Sequence, residues 1–197
     1  MKIVLHFVAQ VISAILSPVV LPVLTYCVFL FLDTTLATER KWLFGGITCL
    51  CSSLIVSGYV VYLAATKQVG SVELDLREER TKPFLVGIVS YFVGFVALYA
   101  LQAPPIVVWL MFSSLTTTLV MQLITRWWKV SIHATGISGT LAAWAFHFGA
   151  AVYPWFVLVP IVGAARVILS KHTIAQVIVG SLLGALFTAV QLWYFVR

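Results

Sequence analysis

Charge is what this sequence has least of. Only 9% of its 197 residues are Asp, Glu, Lys or Arg, and acid is the scarcer sign, six Asp and Glu against twelve Lys and Arg. A soluble domain carries about 25% charged residues. With 62% of the chain hydrophobic and a mean hydropathy of +1.08, there is too little polar surface for a water-soluble enzyme, and that class is excluded. Cysteine is nearly as sparse. Cys27, Cys49 and Cys51 are odd in number, lie inside apolar runs and lack metal-type spacing, which argues against a disulfide framework or a zinc centre and for free buried thiols. No run of Lys and Arg is interleaved with aromatics, so nucleic acid is not an expected partner. The net charge of +6 reads instead as membrane topology and attraction to anionic headgroups.

Long apolar runs are what the chain does have. Crossing the hydrocarbon takes about 20 apolar residues as helix, and seven segments are candidates: 4–32, 42–66, 84–101, 105–125, 134–152, 154–170 and 173–196. The expected fold is therefore all-α, a polytopic transmembrane helical bundle of six to seven spans, with residues 1–197 forming a single integral membrane domain. The first segment is too long for a signal-peptide core and reads as a retained helix, kinked at Pro18 and Pro22. Tyr153-Pro154 and Pro160 make the fifth and sixth segments the weakest. Trp42, Trp109, Trp127, Trp128, Trp155 and Trp193 fall near segment ends, as an aromatic belt would. Gly180 and Gly184 are four apart on the last helix and point to close helix packing. If all seven segments cross, the turns 67–82, 126–133 and 166–172 share one face with Lys2. That face carries nine of the twelve basic residues, which the positive-inside rule would put in the cytoplasm. Setting aside the candidate phosphate ligands Arg77, Arg80, Lys82 and Arg166 leaves five against three and fixes no orientation.

Charged groups at membrane depth are costly and mark function, and three polar stretches on that face carry the candidates. The first runs from Asp75 through Arg77 and Arg80 to Lys82-Pro83, where guanidinium and ammonium groups suit phosphate oxygens. The second is Lys129-Val130-Ser131-Ile132-His133, opening a helix whose N-terminal amides favour an anion. The third holds Arg166, Ser170-Lys171, His172 and Gln176. His172 and Gln176 share a helix face, whereas Arg166 lies about 240° round a continuous helix from His172. The two converge only if the chain turns near Ser170-Lys171. His147, between Phe146 and Phe148, reads as a packed core residue. No acid accompanies the histidines, so neither a metal nor another cofactor is expected.

Order and spacing of the three stretches resemble the type-2 phosphatidic acid phosphatase superfamily, which includes bacterial acid phosphatases and vanadium haloperoxidases. Its pattern is K-x6-R-P, then P-S-G-H, then S-R-x5-H-x3-D. Here Asp75-x6-Lys82-Pro83, Val130-Ser131-Ile132-His133 and Ala165-Arg166-x5-His172-x3-Gln176 stand in those places, and the likeness spans about residues 67–190. The resemblance implies phosphoryl transfer without metal: His172 attacks phosphorus, His133 protonates the leaving oxygen, and Arg166, Ser131 and Arg80 or Lys82 hold the phosphoryl oxygens, with Arg77 a further source of charge. Asp75 replaces the family's lysine, Lys82 its arginine, and Gln176 the aspartate that orients the nucleophile. The implied substrate is a membrane lipid, whether polyprenyl diphosphate, phosphatidic acid or phosphatidylglycerophosphate, in a bacterial inner membrane. A lipid phosphotransferase and a non-catalytic lipid-phosphate binder or transporter are the alternatives.

Overall fold

The structure is a computed structural model and describes residues 2–197, in which helices and short loops account for the chain and no strand occurs among the described residues. Proline sets the first break. Helix α1 (Lys2–Ile15) stops ahead of Pro18, and α2 (Val20–Leu32) restarts at a 44° angle to it. The carbonyl and hydroxyl of Ser17 both accept the Val20 N–H, at 3.1 and 3.3 Å.

Helices α3 (Thr38–Cys49) and α4 (Ile55–Ala65) form one 28-residue stretch through a π-helical turn, Leu50–Leu54. A π-turn disturbs the usual carbonyl pairing, and the Cys51 carbonyl accepts the Ser90 hydroxyl of α5 (Thr81–Ala100) at 2.7 Å. Helix α6 (Pro105–Thr125) opens on a proline, whose missing N–H is no loss in a first turn. Ser131 caps α7 (Ile132–Phe148) by accepting the Ala134 N–H.

Beyond α7, Gly149 takes φ +69° and a 3-10 segment, Gly149–Val157, leads into α8 (Leu158–Ile168). Helices α7 and α8 pack on each other, and His133 and Arg166, near their far ends, line one cavity, so the chain reverses here. The last helix is α9 (Ile174–Val196). Five helical stretches are long and apolar enough to cross a bilayer, or six with the bent pair counted, and one of them contains the Gly149 reversal. This is the expected all-α membrane bundle, with five or six candidate spans where six to seven were expected.

Burial is arranged for lipid. On α9, Ile178, Leu182, Leu186 and Val190 recur every fourth residue and are all more than half exposed. The inward face of the same helix carries Gly180, Gly184 and Thr188. Lipid tails are as apolar as leucine, so helices associate here through close packing of small residues. A Cβ on Gly180 would stand 2.7 Å from the Ser131 carbonyl oxygen, and one on Gly184 would overlap the Thr135 carbonyl oxygen. The expected small-residue contact therefore brings α9 against the first turns of α7.

His147 departs from expectation. It is exposed at the end of α7, its ring 5.2 Å from that of Phe29 and 4.6 Å from that of Phe148. It lies fourteen residues along the helix from His133, about 21 Å. The helix is nearly used up by residue 147, so the ring reaches the bundle's end instead of its core. Among the described residues no cluster of His, Cys, Asp or Glu could hold a metal.

Candidate functional site

The turn required between Arg166 and His172 is a Schellman motif. Ser170, in the left-handed conformation at φ +55°, donates its N–H to the Val167 carbonyl (2.9 Å), and the Lys171 N–H reaches back to the Arg166 carbonyl (3.0 Å). The His172 N–H bonds to that same Arg166 carbonyl at 3.3 Å. The residue that supplies a guanidinium thus also anchors the backbone of the histidine.

Helix α9 begins at once with a capping box. The Thr173 hydroxyl accepts the Gln176 N–H (3.3 Å), and Gln176 Oε1 accepts the Thr173 N–H (3.2 Å). Gln176 Oε1 also lies 3.0 Å from His172 Nδ1. Turning the amide over would set its NH2 against the Thr173 N–H, donor against donor, so the oxygen must face both groups. His172 Nδ1 then carries the proton, and the lone pair is on Nε2. A residue expected only to orient the histidine also completes the capping box of α9 as its N3 partner.

Arg166 is 2% exposed, and its Nη2 pairs with Glu73 at 2.9 Å while Nη1 donates to Ser13 at 3.3 Å. Its Nε is buried with no partner among the described residues. Arg80, also 2% exposed, donates from Nε to the Leu74 carbonyl (3.0 Å) and from Nη1 to the Val130 carbonyl (2.9 Å). Leu74 holds φ +51°, a costly conformation for a branched side chain. The remaining loop contacts pin the three polar stretches together. Lys171 Nζ meets Asp75 at 2.7 Å, Lys129 Nζ reaches the carbonyls of Asp75 and Lys171, and Arg77 donates to the Trp127 carbonyl.

These groups surround a cavity of about 450 Å³, and His172, His133, Arg166, Arg80 and Glu73 line one part of it. Other expected site residues lie elsewhere. Lys82 is exposed and does not line the cavity, so Arg80 takes the position left open between them. Arg77 pairs with Glu78 at 2.9 Å on the surface. Ser131 is fully buried as the α7 cap, with its carbonyl taken by Thr135, and is absent from the cavity wall.

Sequence reasoning missed Glu73. Only six acids occur in the chain, four of them within residues 73–79. A buried arginine needs a partner, and that loop was nearly the sole source. It also missed the wall outside residues 67–190, where Ser13 and Ser17 come from the first segment and Ser52, Ser53 and Ser57 from the second. Their signal was hydroxyls gathered inside apolar runs.

The electrostatics favour an anion and a neutral histidine. Burial pushes His172 down to about 3, with the Arg80 charge adding to it and the Gln176 hydrogen bond opposing it. Burial would raise Glu73, but hydrogen bonding and charge from Arg166, with the charge of Lys171, hold its carboxyl below the usual range. Asp75 is lowered chiefly by its hydrogen bond to Lys171.

If neutral His172 is the reacting form, the acid limb of kcat/KM that belongs to His172 lies near pH 3, and protonation of His172 costs nothing from pH 5 to 8. Gln176→Glu keeps the capping box and places a carboxylate on Nδ1–H. It is expected to move the acid limb upward by at least one pH unit and to raise kcat about tenfold or more, read from pH–rate profiles of both proteins.

No family model, no curated protein and no solved structure matches this chain.

Proposed function

We propose that the protein is a membrane-embedded phosphatase of lipid phosphates that works through a phosphohistidine on His172. The observation that carries this reading is the state of that ring. Its Nδ1 proton is held by Gln176 Oε1, which leaves the Nε2 lone pair in a cavity flanked by two buried guanidiniums.

In the first step Nε2 attacks phosphorus and the phosphorus–oxygen bond to the lipid breaks, with His133 donating a proton to the departing oxygen. In the second, water attacks the phosphohistidine, His133 takes up its proton, and inorganic phosphate leaves. Arg166 and Arg80 neutralise the phosphoryl oxygens throughout, and this positioning supplies most of the catalysis in such transfers. Glu73 must give up at least part of its hold on Arg166 when phosphate enters. Substrate would arrive sideways. Helix α1 packs chiefly on α8, α4 chiefly on α5 and the π-turn that precedes it, and both line the cavity, so the proposed entry lies between these two helices. The spacing pattern shared with type-2 phosphatidic acid phosphatases supports the same chemistry, and a bacterial inner membrane is the proposed location.

The Gln176 side chain and the Glu73–Arg166 ion pair favour one other reading, a lipid-phosphate binder that turns nothing over. The two are separated by assaying purified protein in mixed micelles with phosphatidic acid, phosphatidylglycerophosphate and a polyprenyl diphosphate. Phosphate release that persists in EDTA is expected for at least one of them. Lipid binding with no release and no acid-labile phosphoprotein would establish the binder instead.

A further inference from the structure

Residues 70–76 form a compact loop whose two ends are tied to one side chain. Glu79 Oε1 accepts the Gly70 N–H at 2.7 Å, and Glu79 Oε2 accepts the Leu76 N–H at 3.2 Å. Between those ties Val72, Glu73 and Leu74 form part of the cavity wall. Consecutive residues of the loop engage the two buried arginines. Glu73 Oε2 pairs with Arg166 Nη2 at 2.9 Å, and the Leu74 carbonyl accepts from Arg80 Nε at 3.0 Å. Asp75 follows with both oxygens on Lys171 Nζ, at 2.7 and 2.9 Å. Leu74 holds its φ of +51° in the middle of these contacts, and such a conformation persists only where the surroundings over-determine it.

The Glu73–Arg166 pair is unequal. The arginine side chain is 2% exposed and that of Glu73 is 37% exposed. Glu73 can turn out into water and be hydrated there, whereas the guanidinium cannot follow it. A buried cation stripped of its counter-charge is strongly disfavoured. Lifting the loop off an empty cavity is therefore costly, and an anion that takes over Arg166 removes that cost. The carboxylate and an incoming anion also cannot crowd onto Arg166 Nη2 together, because two negative charges would meet there. Exchange of one anion for the other satisfies both conditions.

We propose that residues 71–75 are an autoinhibitory strap, in which Glu73 fills the anion seat of Arg166 until an arriving phosphate group displaces it and frees the loop. The proposal rests on the phosphatase reading only for the identity of that anion. The empty site is closed by the chain's own carboxylate, and the ligand itself drives the opening. Glu79 keeps the ends of the loop together, so the strap swings about a fixed base and returns when the anion leaves. The Asp75–Lys171 contact is a second tie that must loosen with it.

The test follows the full-length protein in detergent by hydrogen–deuterium exchange. Inorganic phosphate is the probe, and sodium chloride at equal ionic strength is the reference. Saturating phosphate is expected to speed exchange of residues 71–75 at least tenfold in wild type. Glu73→Gln keeps the shape of the side chain without its charge. It is expected to bind phosphate at least tenfold more tightly, to exchange quickly in the strap without phosphate, and to melt below wild type unless phosphate is present. Asp75→Asn weakens the Lys171 tie alone and is expected to tighten phosphate binding about threefold, and it takes over the test if Glu73→Gln does not fold. Glu78→Gln, whose carboxylate pairs with Arg77 on the surface, is expected to bind phosphate as wild type does. Phosphate binding that leaves strap exchange unchanged, strap variants that bind no more tightly, or no phosphate binding by any of these proteins overturns the strap. Strap release by phosphate without turnover of any lipid phosphate supports the strap and sinks hydrolysis. Turnover with a strap that stays protected supports hydrolysis and sinks the strap.

Discussion

His172→Ala is expected to abolish phosphate release, by roughly 10⁴-fold or more, while leaving a folded protein. On the proposed mechanism the loss is that large because the arginines would still bind the lipid but have no covalent intermediate to stabilise. The fold should survive for a local reason. The capping box needs only Thr173 and Gln176, and Gln176 Oε1 keeps its bond to the Thr173 N–H after the ring is gone. Thermal unfolding in detergent should shift by only a few degrees, and ³²P labelling from a lipid donor should vanish. Lys82→Ala is the control. That side chain is exposed and outside the cavity wall, so activity within about twofold of wild type is expected, whereas Arg80→Ala should lose activity heavily. Equal phosphate release by wild type and His172→Ala would remove the histidine from the mechanism.

Gly184→Leu is expected to prevent assembly of the bundle. The position has no room for a first carbon, since a Cβ there overlaps the Thr135 carbonyl oxygen and crowds the Ser138 hydroxyl. One obstacle is backbone within α7, so the strain cannot be relieved by a rotamer change and the two helices must separate. Overpacking in ordinary cores costs about 1–3 kcal/mol, and backbone overlap exceeds that case. Separation would also break the bond from the Ser131 N–H to the Gln176 carbonyl, which ties the start of α7 to the start of α9. Size-exclusion chromatography should show aggregate in place of a single species. Leu182→Ala, on the lipid-facing stripe of the same helix, should elute as wild type does. A monodisperse Gly184→Leu protein with unchanged melting would disprove the packing argument.

Much of this molecule was legible in its sequence because a bilayer imposes few solutions. Backbone groups in hydrocarbon must be paired within a helix, so long apolar runs imply helices whatever else is true. Pro18 and Pro22 marked the α1–α2 bend, and Gly180 with Gly184 marked the closest helix contact. The turn at Ser170-Lys171 was legible too, since 100° per residue keeps Arg166 and His172 apart on any continuous helix. His147 was misplaced because a segment boundary is uncertain by several residues, and that margin separates a core position from an exposed end.

What the sequence by itself determined, then, is the helical membrane bundle and the gathering of its polar turns at one end, both consequences of hydropathy and helical period. Only the tertiary structure decided which cation faces the cavity, and it is Arg80 instead of Lys82. It also decided that Glu73 is the partner of Arg166, that Gln176 holds its oxygen toward His172, and that Ser17 and Ser52 complete the cavity wall. Each depends on contacts between segments tens of residues apart. Local periodicity carries no information about those contacts, because it places side chains on a helix face and not against a particular neighbour.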